Sequence, residues 1–66
     1  MPYYCVNNNA QANGDHEVHE QGCVYWPSNR KDLGWHASCS SAVTEAKKTY
    51  RQSNGCKTCS NACHTS

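Results

Sequence analysis

The chain contains no isoleucine and no phenylalanine, and its only leucine is Leu33. Together with Val6, Val18, Val24 and Val43 this makes five branched aliphatics in 66 residues. That is far below the roughly 20% of Leu, Ile, Val and Phe under which chains are ordinarily disordered. Four tyrosines and two tryptophans add bulk, but six aromatic rings do not make a full core. The shortage excludes a large buried catalytic pocket, so no enzyme is expected. If residues 1–66 order as one small domain, something besides apolar burial has to hold it.

Other absences bound the setting. No apolar run approaches the roughly 20 residues that span a bilayer, which excludes a transmembrane helix. The opening, Met1-Pro2-Tyr3-Tyr4-Cys5-Val6-Asn7-Asn8-Asn9, has neither the basic stretch nor the apolar stretch of a secretory signal. None of the seven asparagines heads an Asn-x-Ser/Thr sequon. These features predict a cytoplasmic protein with no membrane association. Lysine and arginine are missing from residues 1–29, where Asp15, Glu17 and Glu20 give −3; residues 30–66 hold six basic residues against Asp32 and Glu45, giving +4. Three thiolates with a divalent metal contribute about −1, so a metal-loaded chain sits near neutrality. Strong nonspecific nucleic-acid binding is not favoured by that balance.

What the chain does have is six cysteines and four histidines. In a reducing compartment such a set favours metal ligation over a disulfide framework. Residues 3–9 begin as a strand rich in aromatic and β-branched types. Residues 9–14 are loop-like and end in the turn signal Asn13-Gly14. Residues 15–20 read as a second strand paired with the first. Trp26-Pro27-Ser28-Asn29 reads as a surface turn, and residues 30–37 as a third strand weakened by Gly34. Ser38 then offers an N-cap. Cys39, Ala42, Val43, Ala46 and Tyr50 form one apolar stripe, which predicts a helix over 39–52 stopped by Asn54-Gly55.

The ligand-bearing residues fall into two pairs. Cys56-Lys57-Thr58-Cys59 is a Cys-x2-Cys pair, able to grip one tetrahedral ion from a tight turn. Redox motifs share that spacing but open a helix after a strand; here the pair follows a helix and a glycine. His19-Glu20-Gln21-Gly22-Cys23 supplies a His-x3-Cys pair, with Gly22 easing the turn between its members. His19, Cys23, Cys56 and Cys59 together make a closed Cys₃His set suited to structural zinc.

In this arrangement the chain resembles Ada-type metal-binding modules and their small bacterial relatives. There a Cys-x3-Cys or His-x3-Cys pair comes first, followed by a short strand, a Ser before a helix with Ala on its inner face, a Gly and a final Cys-x2-Cys. The matching residues are His19 and Cys23, the strand around Leu33 to Trp35, Ser38, Ala42 and Ala46, Gly55, and Cys56 and Cys59. The resemblance spans roughly residues 17–60 and is one of pattern. It implies zinc ligation by His19, Cys23, Cys56 and Cys59. Ada modules accept a methyl group on a metal-bound cysteine. The first ligand here is His19, and the basic cluster that grips DNA is reduced to Lys57, so the resemblance implies metal binding without methyl transfer.

Other assignments stay open at this level. If residues 15–20 form a strand, Val18 seeks the core and His19 faces the other way, so His19 can bind only at the strand's end; His16, Cys63 or His64 could replace it. The His16-x2-His19 spacing does not match the His-x3-His of zinc peptidases, which sets both imidazoles on one helical face. Cys39 reads as a small buried space-filler, with a disulfide to Cys63 as the alternative. That pairing requires the tail to run nearly straight back along a helix about 20 Å long. Cys5 reads as a strand residue without a special role, His36 as a half-exposed strand residue, and Trp26 and Trp35 as core or edge cover. Lys47, Lys48 and Arg51, with Arg30, Lys31 and Lys57, read as solvated surface.

The expectation is an α+β domain: two or three short antiparallel strands, one helix and a C-terminal zinc knuckle. Its expected role is to bind a protein partner. A metal- or redox-responsive thiol protein and a weak nucleic-acid-binding module are the alternatives.

Overall fold

A computed structural model describes residues 1–64. Four strands and one helix follow in the order β1 (Tyr3–Asn7), β2 (His16–Glu20), β3 (Arg30–Trp35), α1 (Cys39–Ala46) and β4 (Ser53–Gly55), followed by a 3-10 turn at Asn61–Cys63. The strands form one sheet in the order β3-β1-β2-β4. β1 pairs antiparallel with β2, matching Tyr4 to Glu20, Cys5 to His19 and Val6 to Val18. β3 pairs antiparallel with the other side of β1, its register shifting between Tyr4 and Cys5. β4 joins β2 in parallel. The class is therefore α+β, with four strands rather than two or three and a mixed sheet.

Alternation along β1 and β2 explains the layering. Tyr4, Val6 and Val18 are buried together with Ala42 and Ala46 of α1; Leu33, Cys39, Val43 and Tyr50 close the edges of this cluster. The alanines on the inner stripe let the helix approach the sheet closely, and this small core uses four of the five branched aliphatics. Cys5 and His19, paired in register, lie on the opposite face and are just as buried.

The helix is shorter than its stripe suggests. Lys47 still donates to the Val43 carbonyl, but Lys48 donates to Glu45 and Thr49 to Ala46, so the last turn tightens. Beyond Ala46 only Tyr50 remains to bury, and it has better partners outside the helix. Its ring stacks on His16 with centroids 3.9 Å apart, and its hydroxyl donates to Asn8 Oδ1 at 2.7 Å. Gln52 then donates to Asp15 Oδ1 at 2.8 Å, while His16 donates its backbone N–H to the Gln52 carbonyl. These contacts draw residues 53–55 onto β2 as a strand, where the sequence predicts a helix stop. Ser38 occupies the N-cap position in an extended conformation, but its side chain makes no capping bond. His36 lies just past β3, its Nδ1 3.1 Å from Ser41 Oγ and its Nε2 3.0 Å from the Leu33 carbonyl.

Among the described residues, no helix is long and apolar enough to cross a membrane.

Candidate metal centre

The parallel register of β4 builds the site. Val18 lies opposite Gly55, and the Cys56 backbone donates to the Val18 carbonyl at 2.9 Å. The knuckle thus starts beside His19. The Ser60 amide donates to the Cys56 carbonyl at 2.8 Å, curling Cys56–Ser60 into one turn. From the other side, Cys23 donates its amide to the Glu20 carbonyl at 3.1 Å. Gly22, at φ +100°, provides the left-handed residue that this tight return needs. Three separate segments therefore deliver ligand atoms to one point: the end of β2, the loop after it, and the segment after β4.

The His19 imidazole and the Cys23, Cys56 and Cys59 thiols have ligand atoms all within 4.8 Å of one another, a grouping that could hold a metal ion. Cys23 Sγ lies 3.7 Å from His19 Nδ1 and 4.0 Å from Cys56 Sγ; Cys59 Sγ lies 3.8 Å from His19 Nδ1. His19 is buried at 1% exposure and Cys56 at 3%, while Cys23 and Cys59 are half-buried. The strand argument applies as expected: Val18 turns to the helix and His19 to the opposite face. His19 reaches the cluster because it sits one residue from the end of β2, where the knuckle arrives.

The alternatives to His19 are engaged elsewhere. His16 stacks on Tyr50 and places Nδ1 2.9 Å from the Asn7 carbonyl. His64 Nδ1 lies 3.1 Å from the Gly55 carbonyl. Cys63 forms a disulfide with Cys39, with Cα atoms 6.2 Å apart. Cys39 therefore fills space against the core and carries a bond as well. The tail need not traverse a long helix to reach it, because α1 has eight residues and β4 already runs back beside β2. A Cβ on Gly55 would lie 2.7 Å from both Cys63 Cβ and the Ser60 carbonyl oxygen, so the tail folds over β4 only because residue 55 has no side chain.

Electrostatics around the cluster oppose free charge. Burial holds the His19 imidazole below its ordinary proton affinity, with the Glu17 carboxylate pulling the other way. Burial pushes the Cys59 thiol up to about 12; the Cys23 and Cys56 thiols add to the rise, and the Glu20 N–H, 3.3 Å from the sulfur, works against it. A buried group of thiols at this density is costly to ionise without a cation among them. Cys5 is also buried and its thiol is raised to about 12, but its sulfur is not in the cluster.

Glu17 is the one functional neighbour that the spacing argument passes over. Its Oε1 lies 3.5 Å from His19 Nε2, on the side of the ring away from the sulfurs. A carboxylate on the outer nitrogen fixes the ring and leaves Nδ1 free for a metal. Its place two residues before His19, on the same face of a strand, is the signal that could have found it.

The fold and the cluster define a small α+β domain with a candidate Cys₃His metal centre. No family model matches the chain, and no curated protein or solved structure matches it.

Proposed function

We propose that this chain is a structural-zinc module that presents a metal-fixed surface to a protein partner. The observation that carries the reading is the convergence of the four ligand atoms within 4.8 Å from three segments. Zinc–sulfur and zinc–nitrogen bonds of about 2.3 and 2.0 Å imply tetrahedral edges of about 3.8 Å between sulfurs and about 3.5 Å between sulfur and nitrogen. Three of the six edges, at 4.0, 3.7 and 3.8 Å, are only slightly longer, and all six lie within 4.8 Å. A soft donor set of three thiolates and one imidazole suits zinc better than calcium or magnesium. His19 would bind through Nδ1 and the three cysteines through their sulfurs. The ion would supply positive charge at the convergence and no turnover; the module is not an enzyme.

The surface in question lies beside the cluster. The loop that carries Cys23 also carries Val24 at 83% exposure and Tyr25 at 63%. Trp26 of the same loop packs on Tyr3, which packs edge-on against Trp35. Arg30 lies over the Trp26 ring. Anchoring Cys23 would hold this loop against the sheet. The charges favour a protein over nucleic acid as partner: Arg30 is paired with Asp32 and Lys48 with Glu45, which removes two of the six basic residues from phosphate contact. The cytoplasmic placement expected from the sequence stands against the Cys39–Cys63 disulfide, because structural disulfides are rare in a reducing cytosol. The module's pattern is that of Ada-type modules and their small relatives, with His19 in place of the first cysteine.

Native mass spectrometry tests the reading, with one zinc per chain as the expected result. Structural zinc contributes about 10–16 kcal/mol of apparent binding free energy in small domains, more than a core of five buried side chains can replace. Chelation should therefore collapse the dispersed amide spectrum and release Trp26 from its contact with Tyr3. A metal-free chain that keeps a dispersed spectrum would refute the structural role.

A further inference from the structure

We propose that Cys23 is an oxidation site, and that peroxide joins it to Cys56 in a disulfide that dismantles the metal centre. This rests on the zinc reading above, and it assigns the four ligands unequal chemistry.

Three observations single out Cys23. Cys23 is half-buried and is one of the residues lining an open cleft of about 350 Å³, with Gly22, Val24, Thr58 and Cys59. A peroxide molecule is comparable in size to a water, whose share of liquid volume is about 30 Å³, so access is not limiting. Second, Cys59 shares that cleft but its sulfur accepts the Glu20 N–H at 3.3 Å, which withdraws electron density. Among the described residues, the contacts of the Cys23 sulfur are with the other ligand atoms, His19 Nδ1, Cys56 Sγ and the Cys59 thiol, with no backbone N–H donating to it. Of the two accessible thiolates, Cys23 is thus the better nucleophile. Third, a resolving thiol is in place: Cys56 Sγ lies 4.0 Å away. A disulfide needs about 2.0 Å between sulfurs. The Cys56 backbone is tied across the sheet to Val18, whereas the Cys23 backbone is tied only within its own loop, to Glu20 and Trp26, so the movement falls to Cys23, in an exposed loop hinged on Gly22.

The steps balance. The Cys23 thiolate attacks one peroxide oxygen, the O–O bond breaks, and the departing hydroxide takes a solvent proton to become water. The Cys56 thiolate then attacks the Cys23 sulfenic sulfur. The S–O bond breaks and a second hydroxide leaves, again protonated by solvent. Two thiolates lose two electrons, hydrogen peroxide gains two, and two waters form. His19 and Cys59 alone remain as ligands, too few to retain zinc. The remaining cysteines do not compete, since Cys39 and Cys63 are already joined and Cys5 is sealed.

The test uses the zinc-loaded chain with its Cys39–Cys63 bond intact, its zinc content first verified by native mass spectrometry. A chain that holds no zinc at that stage fails the structural reading itself. With zinc present, hydrogen peroxide should release one equivalent to a chromogenic indicator, and peptide mapping should find Cys23 joined to Cys56. Cys23→His keeps a ligand and removes the thiolate; this variant should bind zinc and release it to peroxide at least about tenfold more slowly, since the thiolate is the reactive form. Mapping of a Cys56–Cys59 or Cys23–Cys59 bond as the first product would overturn the proposal. So would a zinc-loaded Cys23→His variant that releases zinc at the wild-type rate, or a wild-type chain that keeps its zinc under peroxide.

Discussion

Replacing both Cys39 and Cys63 by alanine removes a bond whose contribution can be worked from its place in the chain. The two residues are 24 apart. Closing a loop of that length in the unfolded chain removes about 12 cal/mol/K of entropy, or about 3.5 kcal/mol at 25 °C. The double variant leaves neither half of the bond as a stray thiol, and alanine at position 39 keeps a small apolar group against the core. For a domain of this size each kcal/mol shifts Tm by about 4–8 °C, so a fall of roughly 14–28 °C is expected. The assay is thermal denaturation followed by circular dichroism, with both proteins zinc-loaded and in the same excess of free zinc. Wild-type protein treated with a non-chelating phosphine reductant should melt close to the double variant. The unfolded state carries the effect, so the native spectra of the two should superimpose. A Tm loss under about 4 °C, equivalent to less than about 1 kcal/mol, would refute the loop-closure reasoning.

Three further outcomes follow from particular contacts. Glu17→Gln replaces the carboxylate on His19 Nε2 with a weaker acceptor and should cut zinc affinity about 10–100-fold, read by competition with a chromogenic chelator. For Cys5 the folded thiol is raised to about 12 from 9.0, so the folded chain holds its proton more tightly than the unfolded one. The stability this contributes is full below pH 9 and is lost as pH rises towards 12; urea midpoints of the zinc-loaded chain should fall as pH is raised above 9, and less steeply in Cys5→Ala. Gly55→Ala drives a methyl group into Cys63 and the Ser60 carbonyl and should destabilise by at least about 1–3 kcal/mol, measured as a lowered urea midpoint; an unchanged midpoint would show that the tail can lift off β4 freely.

The site was more legible in the sequence than the sheet. His19, Cys23, Cys56 and Cys59 stand out because ligand spacing is a local property: each pair is set by one turn, and Gly22 and Gly55 mark both. The strands at 3–7 and 16–20 are legible because Tyr4, Val6 and Val18 must share a face. β4 was not legible. Ser53, Asn54 and Gly55 have low strand propensity, and their strand exists only through β2 and the Gln52 contacts with Asp15 and Asn13. The helix ends before its apolar stripe does because Tyr50 continues that stripe in spacing while its ring is claimed by His16, a partner 34 positions away in the chain. The disulfide was one option among several, since its geometry depends on a helix that stops early and a strand that propensity hides.

The parallel pairing of β2 with β4 also makes the candidate metal centre a test of register. Val18 and Gly55 are far apart in the chain yet directly opposite in the sheet. If β4 slipped by one residue, Cys56 would move about 3.3 Å along β2 and turn to the opposite face. The Cys-x2-Cys turn would then form without His19 within reach, leaving two or three ligands in place of four. A short, weakly strand-forming segment gives little other discrimination between these alignments. Ion binding would reward only the alignment that completes the tetrahedron, so the last pairing of the sheet and the first tight capture of the ion become the same folding event. On this view a bound ion would act as a proofreader of strand alignment as well as a brace for the finished fold.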